Sequence, residues 1–115
     1  MEYKPGVEII TDTSTFKPSF WILAETEDGR NLLLGGKYAL VVNTLSNGYR
    51  TFSQIRKHLG ISKSSLANIL KELEEKGFVT RDAIDLNDMR EKPYRLRIKI
   101  HKKYPDGNIS FSIIY

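Results

Sequence analysis

The run from Thr51 to Arg81, TFSQIRKHLGISKSSLANILKELEEKGFVTR, constrains this chain more than any other part of it. It reads as two helices joined by a tight turn and followed directly by a strand. Thr51 or Ser53 can cap the first helix, because a hydroxyl there accepts from a free N–H of the opening turn. Ile55 and Leu59 lie four apart and share a face. Gly60 can take a positive φ and close that helix. Ser62 then caps a second helix, in which Leu66, Ile69, Leu70 and Leu73 form an apolar stripe at helical spacing. Gly77 ends it, and Phe78 and Val79 start a strand.

The flanking segments give further elements. Residues 1–18 are rich in Thr, Ser, Pro and Lys, and their apolar patch at Val7, Ile9 and Ile10 suits one short strand. Phe20 to Leu34 reads as a hairpin turning at Glu27-Asp28-Gly29, since Asp-Gly between apolar runs is a strong turn signal. Lys37 to Leu45 favours a buried helix, although Val41-Val42 leaves a strand open, because a short apolar run cannot be settled by period alone. Ser46-Asn47-Gly48 is a helix-ending turn. Asp82 to Pro93 reads as a polar loop. Tyr94 to His101 alternates with period two, Leu96, Ile98 and Ile100 pointing one way and Arg95, Arg97, Lys99 and His101 the other. Pro105-Asp106-Gly107 is a turn before a last strand, Asn108 to Tyr115.

Three helices, a strand, a loop and a strand make a winged helix, an α+β architecture with a three-helix core and a C-terminal β-wing. Here it carries an N-terminal β-hairpin extension. The expected division is 1–35 for the extension, part of the same domain, and 36–115 for the winged helix. The run Thr51 to Arg81 resembles the DNA-binding core of MarR-like and ArsR-like regulators and of small archaeal regulators. The resemblance rests on Leu59-Gly60-Ile61-Ser62, Leu66, Ile69-Leu70, Leu73-Glu74, Lys76-Gly77-Phe78-Val79 and Arg81. It implies that Gly60 makes the turn, Ile61 plugs the core and Gly77 lets the chain swing into the wing. Two features differ from the family pattern. The long flanking helices through which MarR-like proteins dimerise are not readable, and Phe78 to Lys103 is longer than a minimal wing.

The resemblance places Lys63, Ser64, Ser65, Asn68 and Lys71 on the exposed side of a recognition helix running from Ser62 to Lys76. The helical period agrees, because these positions fall outside the apolar stripe. Asn pairs bidentately with adenine in a major groove, and lysine and serine suit phosphates or guanine acceptors. The competing assignment for Ser62 is a helix cap alone, and for Asn68 plain solvated surface. Arg56 and Lys57 lie on the helix that crosses the backbone in this architecture. His58 beside them is expected at the surface or partly packed. Glu72, Glu74 and Glu75 would repel phosphate, which keeps the far half of the recognition helix away from DNA.

Charge supports a polyanionic partner. Residues 1–48 hold four basic and six acidic side chains, a balance of −2, while residues 49–115 hold fourteen and eight, a balance of +6. From Arg90 to Lys103 there are seven Lys or Arg against one acid, Glu91. Arg90 and Lys92 would stand at the wing tip, and Arg95 and Arg97 along its strand. Such a wing can track phosphates or enter a narrow minor groove. The alternative is a solvated sheet face whose charges protect an edge strand.

Other functions find less support. His58 and His101 have no ligand-spaced partners, and no glycine-rich phosphate loop or Ser-His-Asp grouping is legible, so neither enzyme activity nor a cofactor is expected. The absence of cysteine excludes disulfides and thiolate metal sites and fits a reducing cytoplasm. The opening MEYKPGVEII is not a signal peptide. The longest apolar runs, Phe20 to Ala24 and Tyr38 to Val42, fall far short of the ~20 residues that cross a bilayer, so no membrane partner is expected. Abundant Lys, Glu and Ile with a single Gln are the bias of a thermophilic archaeal or viral source.

The expectation is therefore sequence-specific binding of double-stranded DNA by a transcriptional regulator. Its rivals are a winged-helix module that docks onto a protein partner in transcription or replication machinery, and a non-specific architectural protein. Phe20, Trp21 and Tyr38 would serve the first rival as a contact surface, or the core if they pack inward. A homodimer is expected, with Phe20, Trp21 and Ile22 of the hairpin and Ile109, Phe111, Ile113 and Ile114 of the last strand as interface candidates.

Overall fold

The computed structural model describes residues 7–11, 20–81 and 93–105. Nine elements occur in these segments: β1 (Val7–Ile10), β2 (Trp21–Thr26), β3 (Asn31–Gly35), α1 (Gly36–Ser46), α2 (Phe52–Leu59), α3 (Lys63–Glu75), β4 (Val79–Arg81), β5 (Tyr94–Leu96) and β6 (Ile98–Tyr104). They fall into two compact units. One holds β1 to β3, the start of α1 and β6; the other runs from Val41 to Arg97.

The first unit is a four-stranded sheet in the order β1-β3-β2-β6. β2 and β3 form the expected antiparallel hairpin, from Trp21 opposite Gly35 to Glu25 opposite Asn31. Along β2 the side chains alternate, with Ile22, Ala24 and Thr26 buried, as the two-residue period of a strand dictates. β1 is the short N-terminal strand and pairs parallel to β3, with Ile10 opposite Leu34. β6 pairs antiparallel to β2. There Ala24 faces Ile100 and Leu23 faces Lys102, so His101 is the extra residue of a β-bulge. Ile22, Ala24, Leu32 and Leu34 are wholly buried.

The second unit contains the helix-turn-helix. Thr51 caps α2 reciprocally with Gln54: the Gln54 N–H donates to Thr51 Oγ1 at 3.2 Å, and the Thr51 N–H donates to Gln54 Oε1 at 3.1 Å. Gly60 closes α2 with φ +68° and donates its N–H to the Arg56 carbonyl at 2.8 Å. Ser62 caps α3 by accepting from the Ser65 N–H at 3.2 Å. At the far end the Phe78 N–H reaches the Leu73 carbonyl and the Gly77 N–H the Glu74 carbonyl, both at 3.0 Å. This paired closure requires the left-handed backbone that Gly77 supplies at φ +81°. Val41, Val42, Ile55, Leu66, Leu70, Leu73, Phe78 and Val79 form its buried core.

A short antiparallel ribbon completes this unit. β4 and β5 pair Val79 with Leu96, Thr80 with Arg95 and Arg81 with Tyr94. The Tyr94 N–H also donates to the Arg50 carbonyl at 2.8 Å, which ties the ribbon to the chain just before α2.

The strand expected as one piece from Tyr94 to His101 is instead two. The Arg97 N–H donates to the Phe78 carbonyl at 2.8 Å, and beyond it the chain leaves the ribbon and becomes β6, paired with β2. Alternation persists through the break, so the pattern alone could not reveal the change of partner. The expected strand Asn108 to Tyr115 lies outside the described residues.

Candidate nucleic-acid interface

Burying one side of α3 decides what the other side shows. Leu66 and Leu73 are wholly buried and Ile69 and Leu70 nearly so. With 3.6 residues per turn, the opposite side must then carry Ser64, Asn68 and Lys71, and all three are exposed. Lys63 is also exposed at the start of the helix, whereas Ser65 is half-buried at the margin of the face. Ala67 is exposed too, although its apolar side chain makes it the least conspicuous member of the set.

Ser62 is exposed, and its oxygen is engaged as the cap acceptor. Its hydroxyl proton is not consumed by that bond, so capping is compatible with donation to an external acceptor. Glu72 and Glu74 are half-buried and Glu75 is exposed. Glu74 Oε2 lies 3.7 Å from Arg81 Nε, and the Arg81 guanidinium stands 4.9 Å from the centre of the Tyr94 ring. Arg81 thereby links the acidic end of α3 to both strands of the ribbon.

On α2, Arg56, Lys57 and His58 occupy the last turn, where cations complement the helix dipole. All three are exposed. Arg56 and Lys57 border an open depression of about 480 Å³ with Ser53, Gly60 and Ile61, next to the start of α3. His58 stacks on Tyr49, with ring centres 4.2 Å apart and an interplanar angle of 23°. This contact joins the α1–α2 connection to the last turn of α2 and leaves no sequence signal.

Within the ribbon, Arg95 and Arg97 are exposed and Leu96 is half-buried between them. Lys99 and His101 are exposed as well, but they belong to β6. The expected wing-tip residues Arg90 and Lys92 lie outside the described residues. Phe20, Trp21 and Tyr38 are each half-buried. Ile22 is fully buried within its own sheet and cannot furnish an interface between copies, which corrects that expectation. Ile109, Phe111, Ile113 and Ile114 lie outside the described residues. Among the described residues no cluster of three His, Cys, Asp or Glu could hold a metal, and no helix is long and apolar enough to cross a membrane.

A capped helix-turn-helix followed by a β-ribbon that bonds back to the chain ahead of α2 defines a winged helix-turn-helix. Residues 34–85 match the model of the MarR family, a match that supports a MarR-like winged helix-turn-helix over this segment. Members of that family are DNA-binding regulators rather than enzymes, and they commonly form dimers. Comparison with curated proteins and with solved structures found no match.

Proposed function

We propose that this protein is a transcriptional regulator that binds double-stranded DNA sequence-specifically, with the helix from Ser62 to Lys76 in the major groove. The observation that carries the reading is the outward face of α3. Ser64, Asn68 and Lys71 stand exposed on it while the apolar stripe is buried. A helix presenting hydrogen-bonding and cationic groups of moderate length fits the width and chemistry of that groove. Asn68 reads adenine, and Lys63, Ser64, Ser65 and Lys71 read acceptors or hold phosphates. Arg56, Lys57 and Ser62 hold the backbone at the helix-turn-helix, and Arg95 and Arg97 hold it at the wing, together with Arg90 and Lys92. The regulator works as a homodimer in the cytoplasm, since one recognition helix covers only a few base pairs and two copies lengthen the site.

Selection from a pool of random duplexes tests this reading. A single motif should emerge. Asn68→Ala should relax the choice at one of its positions, at a cost of about 1–3 kcal/mol against the preferred base. Arg97→Ala should instead weaken all duplexes alike. A pool from which no duplex is enriched, or a motif unchanged by Asn68→Ala, would refute the assignment concerned.

A further inference from the structure

The exposed residues of α3 are Lys63, Ser64, Ala67, Asn68, Lys71 and Glu75, and only Ala67 among them is apolar. Ala67 lies four residues after Lys63 and four before Lys71, so the three make one row along the helix. In that row a single methyl sits between two long cationic side chains, directly beside Asn68. At this point the backbone of α3 can approach a surface more closely than at any neighbouring exposed position.

The floor of the major groove carries one apolar group, the 5-methyl of thymine, and a short apolar side chain is its natural partner. Resting on the reading that α3 lies in that groove, we propose that Ala67 is a specificity-determining residue. It touches the methyl of a thymine adjacent to the adenine that Asn68 reads, and the duplexes preferred by this protein therefore carry an adenine and a thymine at neighbouring positions. Lys63 and Lys71 flank the contact and hold the helix down on either side of it.

The test uses the full chain and the duplex it enriches from a random pool. Each thymine of that duplex is replaced in turn by deoxyuridine, which removes only the methyl. One replacement should weaken binding by roughly fourfold, the factor that corresponds to burying one methyl group. That position should adjoin the one at which Asn68→Ala relaxes the motif. Ala67→Gly should bind the thymine and uracil duplexes equally. Ala67→Gln keeps a good helix former at an exposed site and so preserves the fold. It should weaken binding by blocking the approach, with an unchanged circular dichroism spectrum.

A motif without thymine, indifference to every uracil replacement, or an Ala67→Gln variant that binds like the parent overturns the proposal. If the parent enriches a motif but ignores the methyl, this inference alone falls. If it enriches no duplex at all, the DNA reading falls with it.

Discussion

Glu25 Oε1 lies 3.1 Å from His101 Nε2, across the paired strands β2 and β6. His101 reaches it as the extra residue of the bulge, where the ladder is locally out of register. The basic row Arg95, Arg97, Lys99 and His101 is thus shared between two sheets, and its last member faces a carboxylate. Both side chains are partly exposed, 35% for His101 and 41% for Glu25, so the pair contributes at most about 1 kcal/mol to stability. Its greater consequence is that charge counted along the sequence overstates the charge presented by the ribbon itself.

Arg56 and Lys57 carry a clearer expectation. Each stands exposed in the last turn of α2. Log affinity for a duplex should fall linearly with log salt, and Arg56→Ala or Lys57→Ala should each flatten the slope by about 0.9. His101→Ala should leave the slope unchanged. Titrations at several salt concentrations measure this, and a flat response in the parent chain would refute phosphate contact altogether.

Ser62 can be both a cap and a contact, and three substitutions separate the roles. Ser62→Ala loses the cap and should cost about 0.5–2 kcal/mol of stability. Ser62→Asn keeps an acceptor for the Ser65 N–H and a donor for phosphate, so stability and binding should both survive. Ser62→Asp keeps the cap but repels phosphate, so it should fold normally and bind more weakly. Equal binding by the Asn and Asp variants would leave Ser62 as a cap alone. Denaturant melts paired with duplex titrations read both quantities.

Gly35 is needed because Trp21 lies over it. A Cβ built at Gly35 would stand 2.5 Å from Cζ3 of the indole, well inside van der Waals contact. Gly35→Ala must displace the ring and should destabilise the sheet by about 1–3 kcal/mol. Trp21 is the single tryptophan, so its fluorescence reports the displacement directly. An unchanged urea midpoint and emission maximum would show that the ring moves aside freely.

The hairpin turn predicts a response to acid. The Thr26 hydroxyl donates to the Asp28 carboxylate, and Arg30 Nε approaches both carboxylate oxygens at 3.3 and 3.2 Å. The Thr26 bond first and the Arg30 bond second hold the Asp28 pKa below its ordinary 3.8. Unfolding raises it again, so the ionised group stabilises the fold above about 3.8, and that contribution is lost as pH falls through the lower folded value. Asp28→Asn should be less stable than the parent at neutral pH and match its dependence on pH in strong acid. A stability difference constant across the whole range would rule out this linkage. The carboxylate is largely exposed, so the effect will be small.

Sedimentation at micromolar concentration tests the dimer. Ile9 on the terminal strand β1 is 42% exposed and is the most exposed large apolar side chain among the described residues. If two copies meet at that edge, Ile9→Lys should shift the equilibrium toward the monomer. A mass of 13.2 kDa at every concentration without duplex, and a single copy per duplex when DNA is present, would refute the homodimer.

The helix-turn-helix was legible because every signal in it is local. A cap needs a hydroxyl a few residues from an N–H, a stripe needs apolar groups three and four apart, and a left-handed closure needs glycine. Thr51, Ser62, the Leu66 to Leu73 stripe, Gly60 and Gly77 satisfy those conditions over one or two turns of chain. The same helical period marked Ser64, Asn68 and Lys71 as outward, and the structure exposes all three. It left Ser65 at the margin, because only the neighbouring elements decide how far burial reaches around a helix.

The strands were a different problem. Alternation along Tyr94 to His101 fixes which side chains share a face, but a period of two is indifferent to which strand lies alongside. Tertiary structure alone assigned Tyr94–Leu96 to β4 and Ile98–Tyr104 to β2, with the change at Arg97. It also set β1 parallel to β3, laid Trp21 over Gly35 and joined Arg81 to Glu74 and Tyr94. These relationships depend on hydrogen-bond and packing partners distant in the chain, where short-range spacing carries no information.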